Sequence, residues 1–88
     1  MENKKYLDKV IGSLVRGTRI DYDEGRIYAP FLPPTYFLPP FHFPLLSPLA
    51  SSFSKYCKNT FGLTEDEIDY VWKEYVEIMK NKINNGEQ

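Results

Sequence analysis

From Lys4 to Arg16 the apolar residues Leu7, Val10, Ile11, Leu14 and Val15 recur at helical spacing, with Lys5, Asp8, Lys9 and Ser13 between them. The pattern predicts an amphipathic helix within residues 1–17. Asn3 stands where an N-cap belongs, and Gly17 where a left-handed residue would end the helix. Gly12 falls inside it at a cost of about 1 kcal/mol relative to alanine, and is read either as a tolerated weak spot or as the place where another backbone comes close. The period then shortens to two. Thr18-Arg19-Ile20-Asp21-Tyr22 and Arg26-Ile27-Tyr28 flank Asp23-Glu24-Gly25, which predicts a β-hairpin over residues 18–30. Ile20, Tyr22, Ile27 and Tyr28 are its strand formers, and Arg19, Asp21 and Arg26 are expected to face water or each other. A two-stranded hairpin is marginal alone, so it must dock on helices or on another chain.

Charge disappears between Ile27 and Ser54, a run that holds all 7 prolines and the single histidine, His42. Within it Phe-Leu-Pro-Pro occurs twice, at Phe31-Leu32-Pro33-Pro34 and Phe37-Leu38-Pro39-Pro40. Proline fixes φ, removes an amide donor and pushes the preceding residue out of the α region, so neither a continuous helix nor an interior strand fits. An extended polyproline-like ribbon over residues 31–47 is expected. At three residues per turn it sets Phe31, Pro34, Phe37, Pro40 and Phe43 along one side.

Helical spacing returns with residues 48–84, read as two helices in a hairpin. Ser47-Pro48 is an N-cap followed by proline at the first helical position, and Leu49, Phe53, Tyr56, Cys57 and Thr60 trace one face. Gly62 with Leu63 predicts a Schellman end to that helix. Thr64-Glu65-Asp66-Glu67 is a capping box, with Leu63 and Ile68 as its hydrophobic staple. The last helix is predicted from Glu65 to about Ile83, with acids in its first turn and Lys80 and Lys82 near its end, matching the helix dipole. Ile68, Val71, Trp72, Tyr75, Val76, Ile78, Met79 and Ile83 cover an arc wider than one neighbouring helix can bury, so either the proline ribbon lies along its flank or the helix packs both within the chain and across a dimer interface. Residues 85–88 are expected to be a frayed tail.

The fold class expected is therefore mainly α, one small domain with a minor β-hairpin and a proline and aromatic segment between its helices. Composition supports a packed core: of the 88 residues 42% are hydrophobic and 16% aromatic. A chain of this size buries only roughly 60% of the surface its unfolded form exposes. A net charge of −1 supplies no global field for nucleic acid or an anionic membrane. The lone cysteine, Cys57, excludes an internal disulfide framework, and the charged start of the chain lacks the apolar core of a signal peptide, so an intracellular protein is expected. Prolines every few residues argue against a membrane span through the uncharged run.

Candidate chemistry is sparse. A Cys57 nucleophile with His42 as its base has no further support, because Cys57 falls on the apolar face of its helix, where an inert thiol is the ordinary outcome. One His and one Cys are too few for a metal site, and Glu65, Asp66, Glu67 and Asp69 are explained as helix-start charges. No glycine-rich phosphate loop, nucleophile elbow or metalloprotease motif is present in the sequence. No catalytic, cofactor-binding or metal-binding residue is assigned, and an enzyme is not expected.

Nucleic-acid binding would rest on Arg16, Arg19 and Arg26 with Tyr22 and Tyr28. Asp21, Asp23 and Glu24 lie in the same hairpin and offset those charges. Pro33-Pro34-Thr35-Tyr36 matches the Pro-Pro-x-Tyr ligand type of WW domains, a weak signal amid so much Phe and Leu. The abundant apolar surface favours instead a non-enzymatic interaction or assembly module that binds a second copy, a dimer by preference, or another protein. Phe31, Tyr36, Phe37, Phe41 and Phe43 on the ribbon and Trp72, Val76 and Ile83 on the last helix are the expected contact residues.

Overall fold

The computed structural model describes the backbone of residues 4–32 and 47–84, and the side chains of residues 4–32 and 51–84. The order is α1 (Lys4–Gly17), β1 (Arg19–Asp21), β2 (Arg26–Tyr28), α2 (Ser47–Phe61) and α3 (Glu65–Asn84). The chain is mainly helical with a two-stranded antiparallel hairpin, as its hydrophobic pattern predicts.

α3 is the central element and packs against both α1 and α2. α1 runs parallel to it: Asp8 near its start meets Tyr70, and Thr18 just past its end meets Tyr75. α2 returns antiparallel through the short turn at Gly62, Leu63 and Thr64. Leu7, Val10, Ile11 and Leu14 of α1 are buried, and so are Ile68, Val71, Tyr75 and Met79 of α3. These are faces that i, i+3 and i+4 spacing brings into register. Phe53 and Cys57 complete the core from α2. Thr60, expected on the same face, is exposed.

The turn between α2 and α3 matches its sequence signals closely. Thr64 Oγ1 accepts the Glu67 amide at 3.3 Å, and Glu67 Oε1 accepts the Thr64 amide at 2.9 Å, the reciprocal pair of a capping box. Leu63 and Ile68 are both buried. Gly62 has φ 67°, the left-handed conformation that glycine adopts without a Cβ clash. Its amide donates to the Lys58 carbonyl at 3.2 Å and the Leu63 amide to the Cys57 carbonyl at 3.5 Å, two nested bonds each one residue wider than the Schellman pair expected. Lys58 and Glu65 form an ion pair across the turn, both exposed and so of small energetic weight.

Two expectations for α1 need correction. Gly17 is not left-handed: it is the last helical residue, and among the described residues only Gly25 and Gly62 have positive φ. Thr18 ends the helix in its place, with its amide donating to the Val15 carbonyl at 3.2 Å and its hydroxyl to the Leu14 carbonyl at 2.7 Å. Gly17 serves close approach, since a Cβ there would lie 3.3 Å from the Pro30 ring. At Gly12 a Cβ would meet only the Arg16 side chain, so of the two readings the tolerated weak spot stands.

In the hairpin Arg19 pairs with Tyr28, Ile20 with Ile27 and Asp21 with Arg26. Ile20 and Ile27 share the buried face, while the charged residues take the other. Tyr22 lies beyond β1, in the turn. Asp21 Oδ1 accepts the Glu24 amide at 3.1 Å, and Gly25, at φ 68°, brings the chain back.

Candidate interaction surface

Four rings on three segments form the centre from which this surface is built. Phe31 stands edge-on to Phe53, with centroids 5.0 Å apart, and edge-on to Tyr75 at 5.7 Å. Trp72 meets Phe53 at 4.7 Å in a similar edge geometry. Such pairs add about 0.5–1.5 kcal/mol each beyond the area they bury. Phe31 is only 6% exposed, so its expected place among the outward contact residues is corrected. A turn closed by the Leu32 amide, which donates to the Ala29 carbonyl at 3.0 Å, brings the Phe31 ring against Phe53 and Tyr75 from distant parts of the chain.

Trp72, Val76 and Ile83 are partly buried against the core edge. Their spacing of four and seven residues sets them on one flank of α3. They are the expected contact residues that the structure brings together. Tyr36, Phe37, Phe41 and Phe43 lie outside the described residues, as do His42 and the Pro33-Pro34-Thr35-Tyr36 match. Among the described residues the exposed large hydrophobics are Tyr6 and Tyr22. Each phenol reaches a backbone carbonyl at the C-terminal end of a helix: Tyr6 donates to Phe61 at 3.1 Å and Tyr22 to Lys82 at 3.3 Å. These are orphan acceptors of the helix ends, satisfied from a distant part of the chain.

A polar relay at the core was not legible in the sequence. The Thr18 hydroxyl gives its one proton to Leu14, so at 2.6 Å from Tyr75 Oη it must accept from the phenol. Burial pushes the Tyr75 phenol well above its usual range, opposed by the Thr18 contact. Apolar periodicity marks Tyr75 as a core residue but says nothing of the acceptor it needs.

Cys57 is fully buried, and loss of hydration pushes its thiol up to about 11. The thiolate that nucleophilic chemistry requires is thereby disfavoured. Of the helix-start acids, Glu67 is committed to the cap and Glu65 to Lys58. Asp66 and Asp69 line a shallow hollow with Tyr70 and Lys73. The Tyr70 phenol donates to Asp8 Oδ1 at 3.4 Å and is raised above its usual range by desolvation first and by Asp8 and Glu74 second. Among the described residues no group of three His, Cys, Asp or Glu side chains is placed to hold a metal ion, and no helix is long and apolar enough to cross a membrane.

The basic residues of the hairpin are only partly assembled. Arg19 lies over the Tyr28 ring, 5.0 Å from its centroid, on the same face as Arg26. Asp21 stands directly across from Arg26 and two residues from Arg19, so an acidic residue shares the face of the two arginines. Arg16 is set apart, lining a hollow of about 430 Å³ with Val15, Thr18, Ile20, Met79 and Lys82. A second hollow, about 440 Å³, lies between Pro30, Phe31 and Leu32 on one side and Tyr56, Asn59 and Thr60 on the other.

Comparison with protein-family models, with curated proteins and with solved structures finds no match.

Proposed function

We propose that this chain is a non-enzymatic protein-interaction or assembly module that pairs with a second copy of itself through the Trp72, Val76 and Ile83 flank of α3. The observation that carries the reading is the division of α3's apolar arc. Ile68, Val71, Tyr75 and Met79 are consumed by packing within the chain, while Trp72, Val76 and Ile83 stay partly open beside them. A contiguous apolar strip next to a packed core is the kind of surface that a partner covers, and a two-fold dimer closes it with a self-complementary patch. The burial of Cys57 and the structural use of Glu65 and Glu67 point away from catalysis. Binding of nucleic acid by Arg16, Arg19 and Arg26 is the competing reading, and Asp21, on the same face of the hairpin as Arg19 and Arg26, weighs against it.

Sedimentation equilibrium at micromolar concentration tests the proposal. The expected result is a concentration-dependent mass above the 10.3 kDa of one chain, reduced to one chain by Val76→Glu with Ile83→Glu. A strictly monomeric wild-type protein would refute it. A salt-dependent gel shift with mixed DNA and RNA, abolished by replacing the three arginines, would favour the competing reading.

A further inference from the structure

We draw no further inference here: the strongest candidate, the hollow between Phe31 and Leu32 on one side and Tyr56, Asn59 and Thr60 of α2 on the other, is a recess of mixed polar and apolar lining for which nothing in the structure shows what covers it.

Discussion

Thr18 closes α1 and holds Tyr75 with the same hydroxyl, so one small side chain ties the end of the first helix to the middle of the last. Thr18→Val keeps the shape and removes both bonds, and a loss of about 1 kcal/mol per bond is expected. Tyr75→Phe removes one of the same bonds, so the two changes together should cost less than their sum. Chemical denaturation of both single variants and the double variant measures that coupling, and strict additivity would contradict the relay. Cys57 supplies a second prediction at this scale. Its thiol ionises near 9.0 when unfolded and about 11 when folded, so the folded state holds the proton more tightly. Its contribution to stability is therefore full below pH 9 and lost as pH rises toward 11. Cys57→Ala should flatten the alkaline decline in unfolding free energy over that window. An unchanged slope would mean that the thiol is not buried in solution.

At the scale of elements, the α2–α3 turn was the most legible part of the chain because its signals are local. A glycine, an apolar residue, a threonine and a glutamate at fixed offsets specify a left-handed cap followed by a capping box, and nothing distant needs to agree. Thr64→Ala should cost about 1 kcal/mol through loss of the cap. Gly62→Ala should cost a similar amount, about 1 kcal/mol, through backbone strain, since a Cβ there meets nothing within 4 Å and only φ objects. Thermal unfolding of the two variants checks both values, and an unchanged midpoint in both would mean that the turn is misdescribed. Gly17 shows where local reading stops. Its position after the helical repeat suggested a left-handed cap, but the constraint that selects glycine is Pro30, thirteen residues away. Phe31 shows the same limit: polyproline periodicity put it on one side of a ribbon, whereas Phe53 and Tyr75 draw it into the core. The hairpin was legible in its turn and its buried isoleucines. The reach of Tyr22 to Lys82, sixty residues along the chain, was not.

For the whole molecule, the parallel placement of α1 and α3 with α2 antiparallel gives α3 two helical neighbours, and its apolar arc is wider than both together cover. The flank of Trp72, Val76 and Ile83 was legible as part of that arc. Which portion would remain open depended on the paths of α1 and α2, which no periodicity encodes. Trp72 is the only tryptophan of the chain, so its fluorescence reports on the open side of this flank together with its packing against Phe53. The most direct test is acrylamide quenching of that emission as protein concentration rises from nanomolar to tens of micromolar. Self-association through this flank predicts a blue shift and a progressive fall in quenching, both abolished by Val76→Glu with Ile83→Glu. Emission and quenching that stay constant across the whole range would contradict it.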